Sequence, residues 1–217
     1  MSIANSIQQF ILMIVPLLFA VTLHEVAHGY AALRFGDHTA KMAGRLSLNP
    51  IRHLDPFGSV LIPALLVFSG SPVLFGYAKP VPVNFHNLRN PELGTFVVSI
   101  AGVAVNLACA VIGGIAFQAV AALGQSVGMG PVILIIAQLL YAFVFINVIL
   151  AVFNMIPIPP LDGSKVLAVL LPPDLREAYE RIGAFGIIIL LVLLMSGALG
   201  VLIQNIVFPV TRFLTGG

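Results

Sequence analysis

Ile7–Leu33, IQQFILMIVPLLFAVTLHEVAHGYAAL, decides how the chain is read. The stretch is long and apolar enough to cross about 30 Å of hydrocarbon, for which roughly 20 residues suffice. Yet its second half carries His24, Glu25 and His28. Ionisable groups at membrane depth are costly and are by default functional. In a helix, His24 and His28 stand at i and i+4, about 40° apart around the axis and roughly 6 Å along it. Two neutral imidazoles on one face can therefore grip one divalent cation. The spacing is that of the zinc-binding His-Glu-x-x-His pattern, whose glutamate is near enough to act on a water beside the metal.

Outward from that helix the whole chain keeps the same character. Of its 217 residues, 59% are hydrophobic and 8% charged, against about 25% charged in an ordinary soluble domain. This is the composition of an integral membrane protein in contact with a lipid bilayer. The net charge is only +2, and Lys and Arg occur in short polar connections with no basic stripe beside aromatics, which argues against nucleic acid as a partner. Cys109 is the single cysteine and sits in an apolar run, so neither a disulfide framework nor a thiolate metal site is expected. No Lys or Arg precedes Ile7, and the first apolar stretch carries the metal motif; the first helix is expected to be retained and not cleaved.

Four stretches have crossing length: Ile7–Leu33, Gly94–Leu123, Pro131–Phe153 and Gly183–Phe208. Phe57–Phe68 is shorter, contains Gly58 and Pro63, and reads as a re-entrant or short membrane segment. Residues 44–50 and 76–86 alternate apolar and polar in places and carry Pro and Gly, which predicts short strands or hairpins. If 57–68 turns back, residues 34–56, 70–93 and 158–182 share one side and hold nine of the ten basic residues, while 124–130 holds none. The positive-inside rule places that nine-residue side in the cytoplasm. His28 then lies near the cytoplasmic end of the first crossing, and Asp162 just past that of the third. The expected fold is all-α, polytopic and transmembrane, with about four full crossings, one re-entrant or short segment and small extended or β hairpins on the cytoplasmic side. Residues 1–217 are read as one membrane-embedded domain.

A catalytic zinc takes three protein ligands and keeps one position open. Asp162 is the best third ligand. It closes the run NMIPIPPLDG (Asn154–Gly163), in which three prolines within four residues end a transmembrane helix and Gly163 permits a tight turn. The alternative for Asp162 is helix capping before Ser164; for Glu25 it is an ion pair with a cytoplasmic arginine. Ser99, Gly102 and Asn106 share one helical face, so Asn106 can support an oxyanion, orient a zinc ligand or hold helices together. Asn147 and Asn154 admit the same roles. His38, His53 and His86 lie in polar connections and suit surface or hydrogen-bonding roles, and Lys79 and Arg89 read as positive-inside anchors.

Together, His24-Glu25-Val26-Ala27-His28 and Asn154–Gly163 resemble the site-2 protease family of intramembrane zinc metalloproteases. GRLSLNP (44–50), HLDPFG (53–58) and GYAKPVPVN (76–84) are similar to its compact prokaryotic branch, so the likeness covers nearly the whole chain. The resemblance implies one Zn2+ per chain held by His24, His28 and Asp162, with Glu25 catalytic. It implies hydrolysis of peptide bonds in or next to transmembrane segments of membrane proteins by a multi-pass protein of a prokaryotic cell membrane, its active site toward the cytoplasm. Asn106 and Asn154 become candidates for substrate or oxyanion support, and an extended substrate segment is expected to pair with a strand edge in 76–86. One departure is Ala101-Gly102-Val103-Ala104-Val105-Asn106, where the family usually shows Gly-Pro-x-x-Asn, which bears on the bend of that helix. The PDZ and CBS modules of other branches have no counterpart in the sequence. Three rival functions are a catalytically silent binder of membrane helices, against which Glu25 argues, a metal transporter, which needs ligands spread along a path, and an ordinary scaffold, which would tolerate Glu25→Gln and Asp162→Ala.

Overall fold

The computed structural model describes residues 3–69 and 79–217. Helices α1 (Ile3–Arg34), α4 (Pro91–Val127) and α5 (Pro131–Asn154) pack against one another and form the central bundle. Between α1 and α4 lie the short α2 (Thr39–Met42), a 3-10 turn at Pro50–His53, and a wide turn at Pro56–Leu61 that continues into α3 (Ile62–Phe68). After α5 come α6 (Asp162–Leu170), α7 (Pro173–Ile182), α8 (Gly186–Met195), α9 (Ala198–Leu202) and α10 (Phe208–Leu214). Four helical stretches are long and apolar enough to cross a membrane: Ile7–Arg34, Pro91–Val127, Pro131–Asn154 and Pro173–Met195. The protein is an integral, multi-pass membrane protein.

Local chemistry sets the helix that matters most. Asn90 caps α4 by accepting a hydrogen bond from Leu93 N at 3.2 Å, and Pro91 takes the first helical position, where its missing N–H costs nothing. Its 37 residues rise about 55 Å, well beyond the hydrocarbon thickness, so α4 projects past it. The helix runs through Val103 without interruption; the family proline is not needed to shape it. Lipid tails are as apolar as leucine, so helices in a membrane associate through close packing of small residues. Here Gly113 lies against Phe143 and Val144, and Gly114 against the main chain of Leu214. Ala110, Val144, Val148 and Val207 are fully buried where α4, α5 and the C-terminal helices meet. A second cluster, Ala32, Leu88 and Val98 with Phe35, Val83 and Phe85, pins residues 83–88 between α1 and α4.

Two sequence expectations are corrected. Among the described residues no strand forms, either in 44–50 or in 79–86; residues 76–78 lie outside the described residues. The main-chain groups of 79–84 are engaged elsewhere: Lys79 N donates to His53 O at 2.9 Å, Val81 N to the Glu25 carboxylate and Asn84 N to that of Asp37, and Arg45 donates to the carbonyls of Lys79 and Pro80. Pro80 and Pro82 have no N–H to give. With these groups bonded to scattered partners, no ladder forms on the segment. The second correction concerns Gly183–Phe208, which is not one helix. It breaks at Gly197, whose φ of +78° is left-handed and suits glycine, so that the last crossing-length stretch begins earlier, at Pro173, and ends at Met195. The chain then returns to the bundle, where Val207 is buried and the Phe208 ring lies 5.6 Å from that of Phe145. Phe57–Phe68 stays a short apolar helical segment, as its length predicts.

Candidate metal centre

α1 and α4 run antiparallel, so His24 meets Asn106 and His28, one turn further along α1, meets Val98, about two turns earlier on α4. His24 Nδ1 lies 2.6 Å from Asn106 Oδ1, and His28 Nδ1 lies 2.6 Å from the Val98 carbonyl oxygen. Between these contacts the helices come together at Gly102. A Cβ there would lie 2.5 Å from His24 Cε1 and 2.6 Å from His28 Nε2, so any side chain would displace the imidazoles.

The third residue arrives by the route the prolines dictate. After α5 ends at Asn154 the chain turns through Pro157, Pro159 and Pro160, and Asp162 opens α6. The Gly163 backbone sits against the Met155 carbonyl with no room for a side chain. Asp162 Oδ2 is thereby placed 3.2 Å from His24 Nε2 and 3.1 Å from His28 Nε2, and the two Nε2 atoms are 2.9 Å apart. All three residues are buried. Helix capping does not account for Asp162, because Leu161 holds the cap position without a side-chain bond. Its second oxygen, Oδ1, instead accepts from Lys165 Nζ at 3.2 Å.

Proton bookkeeping tests whether this triangle fits a cation. A carbonyl only accepts, so His28 donates its Nδ1 proton to Val98. Asn106 donates through Nδ2 to Asn147 Oδ1 at 2.8 Å and to Ala20 O at 3.3 Å, which assigns its Oδ1 as the acceptor and His24 Nδ1 as the donor. Both neutral rings then turn unprotonated Nε2 lone pairs toward each other and toward a carboxylate. Three buried acceptors with no proton between them repel unless a cation lies among them. The triangle's edges are close to the roughly 3.3 Å that tetrahedral bonds of about 2.0–2.1 Å require. The residues fit zinc.

A cavity of about 280 Å3 opens on this triangle, and Glu25, Val81, Ser99, Asn154 and Lys165 line it with the three candidate ligands. Glu25 Oε2 accepts the Val81 N–H at 2.7 Å; no ion pair with an arginine is formed among the described residues. Lys165 also stands 5.5 Å over the Phe85 ring. Asn154 donates to Leu150 O of its own helix at 3.0 Å. Asn106 is fully buried and is not part of the cavity wall. His53 is buried, with Nε2 on the Ser47 carbonyl at 2.7 Å, as a hydrogen-bonding role predicts. Sequence reasoning passed over the Val81 amide. Its signal was Pro80-Val81-Pro82, in which only one residue has an N–H to offer.

The description "Peptidase family M50" belongs to the family whose sequence pattern matches residues 12–197. The chain belongs to peptidase family M50. Among its relatives is YwhC of Bacillus subtilis (strain 168), provisionally named a zinc metalloprotease, 39% identical over 85% of this chain and 80% of that one. Rip2 of Mycolicibacterium smegmatis, likewise provisionally named, is 32% identical over 88% of this chain and 69% of its own. No solved structure matches the chain. As an M50 enzyme of the site-2 type, the protein is a zinc metalloprotease.

Proposed function

We propose that this M50 protease is an intramembrane endopeptidase, hydrolysing peptide bonds in or next to transmembrane segments of membrane proteins, with its site toward the cytoplasm. In this reading residues 1–217 act as one membrane-embedded unit, His24, His28 and Asp162 hold one zinc, and Glu25 is the general base. A single observation carries it: the ligand triangle is buried between α1 and α4, two helices of membrane-crossing length. The polar connections that adjoin the site hold most of the basic residues, which supports the cytoplasmic orientation.

Zinc bound there supplies a Lewis acid that polarises a carbonyl and acidifies a water. The protein's own groups do the rest. Val81 N–H holds one oxygen of Glu25, leaving the other to take a proton from the attacking water and later pass it to the leaving amine. Lys165 offsets the charge on the outer oxygen of Asp162. Asn106 orients His24, and Asn154, in the cavity wall, can support the substrate carbonyl. A substrate helix must unwind locally, because its scissile carbonyl is otherwise tied into an intrahelical hydrogen bond. The test is cleavage of one sequence presented in two forms, embedded in vesicles with the enzyme and as a soluble peptide. Cleavage of the embedded form is expected; hydrolysis of the soluble peptide alone overturns the intramembrane reading.

A further inference from the structure

Ser99 differs from three other serines in helices or just past a helix end. Such a serine ordinarily satisfies its hydroxyl on a carbonyl one turn back, and Ser126, Ser164 and Ser196 do so, on Leu123, Leu161 and Leu193 at 2.8, 2.6 and 2.8 Å. Ser99 does not. It is 1% exposed, and its Oγ has no hydrogen-bond partner among the described residues. A buried hydroxyl left unpaired is destabilising, and such a group asks for an explanation. Among the described residues Thr211 is the other unpartnered buried hydroxyl, but it lies in α10, outside the cavity, whereas Ser99 is part of the cavity wall beside His24, Glu25, His28 and Asp162.

Its neighbours have assigned tasks. Val98 O receives His28, and Gly102, one turn on, gives the imidazoles room. Ser99 lies between them on α4, while Glu25 enters the cavity from α1 and is fixed on the Val81 side. The base and the free hydroxyl therefore come from different walls of one cavity. Peptide hydrolysis needs both: a group that takes a proton from water, and a donor for the carbonyl oxygen as negative charge builds on it.

We propose that Ser99 is a catalytic residue whose Oγ–H donates a hydrogen bond to the oxygen of the scissile carbonyl, most strongly in the transition state. This rests on the protease reading above. Its hydroxyl is left without a partner in the free enzyme because its partner is the substrate.

The test compares wild type with Ser99→Ala in three measurements. Thermal unfolding of the metal-free proteins should give an unchanged or higher Tm for the variant, since an unsatisfied buried hydroxyl is removed. Turnover of a membrane-segment substrate should fall about 10²-fold in kcat with KM within about twofold, as expected for an interaction made mainly in the transition state. Titration of the zinc-loaded proteins with a peptide hydroxamate should show affinity weakened by about tenfold or more. The hydroxamate measurement needs no turnover, so it speaks even if wild type cleaves nothing and the protease reading fails. Unchanged hydroxamate affinity, a kcat within twofold of wild type, or a lowered Tm accompanying the loss overturns the assignment.

Discussion

Asn106 Oδ1 accepts the Nδ1 proton of His24 at 2.6 Å, and that one bond decides which nitrogen of the imidazole is left for a metal. Asn106 holds its own orientation by donating to Asn147 Oδ1 and Ala20 O, and Asn147 donates in turn to Phe143 O at 2.8 Å. A chain of two amides thus runs from α5 through α4 to the first ligand. Partners of this kind typically account for 10–100-fold in metal affinity. Asn106→Leu is expected to weaken zinc retention by about that factor in competition with a chelator, and Asn147→Leu to weaken it less. Equal retention by Asn106→Leu and wild type would remove the orienting role.

The Val81 amide gives a second expectation. Val81→Pro deletes the N–H that Glu25 accepts, whereas Val81→Ala keeps it. Zinc content should be the same in both. Cleavage by Val81→Pro should fall about tenfold or more, since general-base catalysis typically contributes 10²–10⁴-fold, with Val81→Ala near wild type. Equal activity of the two variants at equal zinc content would show that the amide does not position the base.

Asp37 sets the third, in the connection that follows α1. Its carboxylate is buried and accepts from Thr39 N, Thr39 Oγ1 and Asn87 Nδ2 on Oδ1 and from Asn84 N on Oδ2. It ties the end of the histidine helix to the segment that carries Val81. Burial pushes the carboxyl up, but the four donors outweigh it and hold it below its usual 3.8. A folded-state value below the unfolded one means that the stabilisation is present above the unfolded value and is lost as pH falls through the folded one. Asp37→Asn turns an NH2 toward a donor and should cost about 1–3 kcal/mol. Its Tm deficit should stay constant from neutral pH down to about pH 5 and shrink below about pH 4. A deficit that grows on acidification contradicts this account.

Much of the site was legible in the sequence because its geometry is local. His24 and His28 share a face by helical arithmetic alone, and three prolines before Asp162 leave the chain little choice but to turn. Crossing lengths followed from apolar runs for α1, α4 and α5. What the sequence hid depends on partners far along the chain. The alternation in 79–84 looks like a strand, but Glu25, Asp37 and Arg45 take its hydrogen bonds one by one. Gly197 sits in an apolar run that hydropathy cannot divide, and only its left-handed backbone ends α8. Asn106 and Ser99 share a face and are equally buried, and only their partners separate them: one bonds His24 outside the cavity, and the other stands unpaired in its wall.

The central claim is that His24, His28 and Asp162 hold one zinc on which Glu25-dependent proteolysis relies. It is tested most directly by metal analysis of purified wild type, Glu25→Gln and Asp162→Ala, each then reconstituted in vesicles with a membrane-segment substrate. The account predicts about one zinc per chain in wild type and Glu25→Gln, greatly reduced zinc in Asp162→Ala, and cleavage by wild type alone. Folded wild type without zinc, or cleavage by Glu25→Gln at the wild-type rate, contradicts it.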